Sequence, residues 1–259
     1  MSRRWRFSDV ELVGLWESER EGALPWPFAA LARIPYYDDY EQAKHEARAR
    51  IRADFGPVIH DVITALSRPD IRIAVFGWDD RDRGNPEAMV RLLGVRAAGA
   101  GFVVKQLPGE SIWHSGGYVV IECTAVDLAR TAIGELPHAE PGTVEEIVLP
   151  TYGGRDDVDY EYRRSVVSEP PIHHRSEEFL RRPTSLIGRI DIVQGRSRFG
   201  PRGITHHKLE WRDVIDDGRY SITTDNGDPI ATPVDADRFA AVINSRVAQV
   251  VRVIKDEHA

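Results

Sequence analysis

Apolar positions before residue 70 recur at helical spacing. Ser8, followed by Glu11 three positions later, forms a capping-box pattern ahead of the apolar positions in 12–16. A second stretch, 38–55, carries only a thin apolar stripe, and a third has apolar residues at 58, 62, 63 and 66. The pattern therefore predicts three helices, of which the second has most of its surface in water.

From Ile71 the apolar period changes from helical to alternating. The runs IRIAVFGW, MVRLLGVR, GFVVKQL and YVVIEC are rich in β-branched or aromatic residues and are separated by Gly, Pro, Asp and Asn. Their connections are short, whereas a parallel pair needs a crossover of about a dozen residues or more. The pattern predicts four antiparallel strands, closed by a helix that begins after Thr124 (AVDLARTAIGEL).

The same succession returns near the end of the chain. Residues 137–183 read as a connection, with a strand at EEIVLP and a short helix at SEEFLRR. The runs SLIGRIDIVQG, ITHHKLEWRDV, RYSITT and DPIAT predict four more strands, and the stretch from Pro233 predicts a long helix with one apolar stripe.

Local matches suggest that the two successions are copies of one unit. LGVR at 93–96 matches LEWR at 209–212, and T-x-V-D-x-x-R occurs at 124–130 and again at 232–238. We expect a single domain over 1–259, with duplicated halves of about 1–136 and 184–259 joined by 137–183. A convergent helix-start signal remains an alternative explanation of the second match.

Composition narrows the class of protein. With 42% hydrophobic and 29% charged residues the chain is globular, and it has no apolar run of about 18 residues that predicts a membrane span. The basic start MSRRWRF is not followed by the apolar segment of a secretory signal, and one cysteine, Cys123, excludes an internal disulfide. We expect a cytoplasmic protein. The net charge of −7 argues against general nucleic-acid binding.

Two charged hairpin loops are the candidate binding features. QGRSRFGPRG at 194–203 joins the first two strands of the second half, and GWDDRDRGNPEA at 77–88 is its counterpart. Arg198, Phe199, Arg202 and Trp78 are of the residue types that dominate interface energetics. Alternatively, Phe199 packs on its own sheet while the arginines pair with carboxylates, namely Asp213, Asp216 or Asp217.

No residue pattern supports catalysis or metal binding. His114 and Ser115 are adjacent, so on an extended chain they point to opposite faces, and the G-x-S-x-G elbow is absent. The pairs His173-His174 and His206-His207 have no cysteine or carboxylate at ligand spacing. We expect no catalytic residues, no metal and no cofactor.

Three segments resemble the EspG family, the cytoplasmic chaperones of actinobacterial type VII (ESX) secretion. They are WRFSDVELVGLWE, KQLPGESIWHSGGYVVIEC and GRSRFGPRGITHHKLEWRDVIDDGRY, the last followed by a terminal helix. The resemblance implies a quasi-two-fold α+β fold, with a central, largely antiparallel sheet flanked by N- and C-terminal helical bundles. It also implies binding to the PPE subunit of PE-PPE heterodimers before secretion, with the oligomeric state left open.

The partner surface that the resemblance implies comprises the sheet, a long hairpin loop and the C-terminal bundle. Here these correspond to Trp78–Glu87, with Asp80, Arg81 and Arg83 as candidate contacts, to outer strand positions, and to parts of 176–183 and 234–255. Two other classes remain open. They are a nucleic-acid-binding module that uses the arginine-rich hairpin 194–203, and an uncatalogued hydrolase around His114 and Ser115.

Overall fold

The computed structural model describes residues 3–150, 171–224 and 227–258, with side chains described from 174 in the second range. Its strands are β1 (Arg4–Phe7), β2 (Ile71–Trp78), β3 (Val90–Ala97), β4 (Ala100–Pro108), β5 (Ser115–Thr124), β6 (Ile147–Val148), β7 (Thr184–Gln194), β8 (His206–Val214), β9 (Gly218–Thr223) and β10 (Ile230–Pro233). Its α-helices are α1 (Asp9–Glu17), α2 (Tyr37–Phe55), α3 (Pro57–Ser67), α4 (Leu128–Ile133), α5 (Pro171–Arg181) and α6 (Ala236–His258). Of the predicted connection 137–183, residues 151–170 lie outside the described residues.

All ten strands form one sheet in the order β1-β5-β4-β3-β2-β7-β8-β9-β10-β6, and neighbouring strands are antiparallel. The order is symmetrical about the central β2–β7 pair, because β3, β4 and β5 follow on one side and β8, β9 and β10 on the other. The predicted α+β class, with its quasi-two-fold antiparallel sheet and flanking helices, is confirmed. A common origin of the two halves stays a prediction.

Of the two sequence matches, one occupies equivalent positions in the two halves and the other does not. Thr124 and Thr232 both lie where the last strand of a half leads into its helix, α4 or α6. Leu93, however, packs with the N-terminal helices, whereas Leu209 packs with α4 and α6 on the other face of the sheet. Since successive side chains alternate between faces, LGVR and LEWR do not occupy equivalent positions.

Helices α4 and α6 cover one face of the sheet across both halves. The main hydrophobic core lies under them and combines β2 and β3 of the first half with β7 and β8 of the second. At its centre the fully buried Trp211 lies over Gly77 and Gly188, which are cross-strand partners in β2 and β7. A Cβ at Gly77 would lie 2.8 Å from the Trp211 ring, so the close approach requires glycine there.

The opposite face is covered unevenly. Helices α1, α2 and α3 pack on the first half, mainly over β3, β4 and β5. Helix α5 covers only the outer part of the second half, where Phe179 packs on Tyr220 at 5.0 Å between ring centroids. Among the described residues, β7 contributes no side chain to either cluster on this face, and β2 and β8 contribute only Ala74 and Val214. The edge strand β1, which sequence reasoning missed, pairs with β5 and buries Phe7.

Candidate functional site

A groove lies on this second face, between the N-terminal helices and α5. Its floor is formed by β2, β7 and β8, and it encloses about 470 Å³. Cross-strand register aligns two rows of side chains on the floor, Arg72, Val193 and His206 in one row and Ala74, Asp191 and Lys208 in the next. Because these residues occupy alternate positions of their strands, they share one face of the sheet.

Trp26, in the loop between α1 and α2, forms one wall of the groove. Two buried side chains hold this loop on the sheet. Gln106 accepts a hydrogen bond from the amide of Ala29 at 2.9 Å, and the Tyr118 hydroxyl donates to the carbonyl of Ala29 at 3.0 Å. Burial raises the pKa of Tyr118 to about 12, so this donor keeps its proton at neutral pH. Trp26 is thereby positioned while 49% of its surface stays exposed.

Three aromatic rings, here called the aromatic row, follow one another along this face. Trp26 lies 4.8 Å from Phe76, and Phe76 lies 5.3 Å from Trp78, measured between ring centroids. An arginine lies over each ring, at 5.0 to 5.9 Å from its centroid: Arg189 over Trp26, Arg91 over Phe76 and Arg83 over Trp78. Aromatic and arginine side chains are enriched at binding hot spots, so the row has the composition of an interaction surface.

Arg91 shows how far this region is removed from water. Its guanidinium donates to the carbonyl of Ile112 at 2.8 Å, and burial lowers the pKa of Arg91 below its usual value. Its Nε, like Nε1 of Trp78, is buried without a hydrogen-bond partner among the described residues. A buried donor without an acceptor lowers the stability of the fold. These two N–H groups can therefore still donate hydrogen bonds beside the aromatic row.

Comparison with protein families decides the identity of the chain. A family model described as the EspG family matches residues 8–245. The chain belongs to the EspG family.

The solved structures include a relative of the same fold. The Mycobacterium tuberculosis type VII secretion system chaperone EspG5, solved in complex with the PE25-PPE41 dimer, matches with a TM-score of 0.55 and 12% sequence identity. The match covers 95% of this chain and 96% of that one. A search of curated protein sequences gave no match. Among the described helices of this EspG-family chain, none has the length and apolar character needed to cross a bilayer.

The first hairpin loop of the EspG-family chain, residues 79–89, continues from the aromatic row. Asp79 accepts hydrogen bonds from the backbone amide of Arg81 at 2.9 Å and from its guanidinium at 3.1 Å, and these bonds lower the pKa of Asp79. Asp80 lies 3.5 Å from Arg83. The structure thus places the predicted residues Trp78, Asp80 and Arg83 together, while Arg81 holds the turn through Asp79.

In the second hairpin loop, residues 195–205, Arg198 is tied to the last turn of α6. Its guanidinium donates to the carbonyl of Glu257 at 2.7 Å, and its amide donates to the Glu257 carboxylate at 3.1 Å. Ser197 and Gln194 donate to the same carboxylate at 2.7 and 3.1 Å. These hydrogen bonds lower the pKa of Glu257, and they anchor Arg198, which stays exposed and lies 5.5 Å from the centroid of the Phe199 ring.

Phe199 and Arg202 are exposed at the tip of the same hairpin. Phe199 is 69% exposed, so it does not pack on its own sheet as the alternative interpretation expected. The same interpretation paired the arginines of this hairpin with carboxylates of the β8–β9 region. Two of those carboxylates have other partners, because Asp213 pairs with Arg219 and Asp217 with Arg182.

The two hairpins lie at opposite ends of the sheet. Ile71 pairs with Gln194 and Trp78 with Ile187, so the loops are separated by the length of β2, eight residues or about 25 Å. The structure therefore does not bring the predicted residues of the two hairpins together. Sequence reasoning missed Trp26, Arg72 and Lys208. The available signals were the polar position in the apolar run of β2 for Arg72 and the alternation of polar positions in β8 for Lys208.

The residues considered for a hydrolase are arranged differently from the expectation. His114 Nδ1 lies 2.8 Å from the hydroxyl of Ser111, and its Nε2 lies 3.4 Å from Glu110, whereas Ser115 donates to the carbonyl of Gly117. The adjoining cavity encloses about 10 Å³, whereas sites for small molecules enclose roughly 300–1,000 Å³. The geometry is that of a short hydrogen-bonded turn with no room for a substrate.

The histidine pairs do not form part of a metal-binding cluster in the residues that the structure describes. His206 Nε2 lies 2.9 Å from Asp191 on the groove floor, and His207 belongs to the opposite face of β8. The side chain of His173 lies outside the described residues.

Proposed function

We propose that this protein is a type VII (ESX) secretion chaperone that binds the PPE subunit of a PE-PPE heterodimer in the cytoplasm and keeps it soluble before export. Membership of the EspG family supports the class, and the related EspG5 was solved with a PE25-PPE41 dimer. The observation that supports the proposal for this chain is the groove, whose lining includes no helix residue among those described and whose wall, Trp26, begins the aromatic row.

The physical role follows from mass action. An apolar tip of a helical client associates with other copies of itself when it is exposed to water. A chaperone that covers this tip shifts the equilibrium toward the monomeric client by RT ln(1 + [L]/Kd). Binding of this kind needs complementary surfaces and no reactive centre, so we expect no enzymatic activity.

We assign the main contact to the groove and to the adjoining first hairpin, with Trp78, Asp80, Arg81 and Arg83. At the other end of the sheet, Phe199 and Arg202 form a second exposed site that a large partner could contact. Arg198 is part of that site, because it is exposed and lies over the Phe199 ring while it is hydrogen-bonded to Glu257. Arg202→Glu tests the second site without breaking the contacts of Arg198.

Co-expression with each PE-PPE pair of the same genome tests the function. We expect one pair to become soluble and to co-elute with the chaperone on size exclusion, also after nuclease treatment. Trp26→Ala combined with Phe76→Ala should weaken this complex by roughly 30-fold or more, since the loss of even one hot-spot aromatic costs about 2 kcal/mol or more.

Trp113→Ala is the matched control, because Trp113 is 62% exposed but does not line the groove. Equal losses in the Trp113 variant and in the groove variant would contradict the assignment of the site. Recovery of nucleic acid alone, with binding that weakens steeply with salt, would favour the nucleic-acid-binding alternative.

A further inference from the structure

The groove differs in charge from the rest of the molecule. The chain has a net charge of −7 with histidine counted as neutral, yet on the same count three cations and two carboxylates line the groove beside His206: Arg72, Arg189, Lys208, Asp191 and Glu210. One carboxylate is already engaged, because Asp191 lies 2.9 Å from His206 and 3.6 Å from Arg189. The groove therefore carries excess positive charge on an acidic protein.

Arg72 and Lys208 account for this excess. Within the described ranges neither side chain forms an ion pair or a hydrogen bond, although both line the same cavity. Arg72 lies on β2 and Lys208 on β8, with β7 between them and a displacement of one pleat along the strands. Strand spacing and rise place the two positions roughly 12 Å apart.

The floor of the groove excludes an added strand and suits a helix. β2 is hydrogen-bonded to β3 and β7, and β7 to β2 and β8, so the central strands have no free edge for an extended peptide. Three strands span roughly 10 Å, which is the diameter of a helix with its side chains. Between the two cations lie Val193 and Asp191 of β7, of which Asp191 is already paired with His206, and Trp26 forms the wall.

We propose that the groove accepts an acidic amphipathic helix of the partner protein, whose carboxylates pair with Arg72 and Lys208 while apolar side chains contact Trp26 and Val193. Two carboxylates seven positions apart lie on one helix face about 10.5 Å from each other, which matches the separation of the two cations. This inference rests on the proposed function and specifies the chemistry of the client segment. Asp191 and Glu210 in the same groove disfavour a uniformly anionic chain such as RNA.

The test uses two synthetic helical peptides that differ only in charge. One has Glu at positions i and i+7 with Leu at i+3 and i+4, and the other has Lys in place of both Glu. The whole chain is labelled with 5-fluorotryptophan, and the resonance of Trp26, assigned with Trp26→Phe, reports occupancy of the groove. We expect the Glu peptide to bind roughly 10- to 100-fold more tightly than the Lys peptide at low salt.

Arg72→Glu combined with Lys208→Glu should abolish this preference for Glu, whereas Arg52→Glu should not. Arg52 is an exposed residue of α2 that does not line the groove.

Equal binding of both peptides, binding of neither, or a larger Trp26 shift with a single-stranded RNA would overturn the inference. A PE-PPE heterodimer that binds regardless of the groove charges would overturn the inference alone. A groove that prefers the Glu peptide in a protein that binds no PE-PPE pair would overturn the proposed function alone.

Discussion

At the scale of single residues, the buried carboxylate of Asp217 connects several loops of the second half. Asp217 accepts hydrogen bonds from the amide and the hydroxyl of Thr143 and from the hydroxyl of Tyr220, each at 2.7 Å, and Arg182 lies at 2.5 Å. Burial alone would raise the pKa of Asp217, but these hydrogen bonds hold it at about 2. One side chain thus joins the β8–β9 turn to α5 and to the segment before β6.

Asp217→Asn should lower the free energy of unfolding at pH 7 by roughly 1–3 kcal/mol, because buried donors lose their charged acceptor. The folded-state pKa of Asp217 lies below its ordinary value of 3.8, so its contribution is present above about pH 4 and is lost as the pH falls toward 2. Urea unfolding of both proteins between pH 2 and 7 checks this. A stability difference that stays constant over this range would contradict the prediction.

At the scale of secondary structure elements, the seam between the halves depends on glycine. A Cβ at Gly188 would overlap the Trp211 ring and lie 2.5 Å from the carbonyl oxygen of Phe76. We expect Gly188→Ala to destabilise the protein by roughly 1–3 kcal/mol, as overpacked cores do. Gly99→Ala is the control, since a Cβ there meets nothing within 4 Å. Thermal unfolding measures both, and equal midpoints would show that the seam can relax.

The elements also show what the sequence could predict. Alternating β-branched runs predicted β2 with its observed bounds, and Ser8 with Glu11 predicted the capping box that begins α1. The four residues of β1, Arg-Trp-Arg-Phe, are too few and too polar to stand out, and they become a strand by pairing with β5. A long periodic segment can thus be predicted from its own residues. A short edge strand such as β1 forms only because a neighbouring strand offers backbone hydrogen bonds.

The groove was harder to predict, because its residues come from distant parts of the sequence. Trp78 and its hairpin stood out as charged and aromatic residues in a turn, but their role in binding stays a prediction. Trp26 and Arg72 are 46 positions apart, and they meet because Gln106 and Tyr118 hold the Trp26 loop on the sheet. Arg198 looked like a contact residue, and only the position of α6 shows that it bonds Glu257.

At the scale of the whole molecule, the two halves share one core. The cluster beneath α4 and α6 includes Val75 and Leu92 from the first half and Ile190 and Trp211 from the second. We therefore expect a single cooperative unfolding transition, with the calorimetric enthalpy equal to the van't Hoff enthalpy. Two resolved transitions in differential scanning calorimetry would show that the halves unfold independently.

The two faces of the sheet separate the residues that maintain the fold from those that we propose to contact a partner. Substitutions at Arg72, Arg189 or Lys208 leave the shared core intact, since these side chains lie on the face opposite α6. Client preference can therefore drift in a lineage while the scaffold stays constant, and chaperones with different clients should differ most in the floor of this groove.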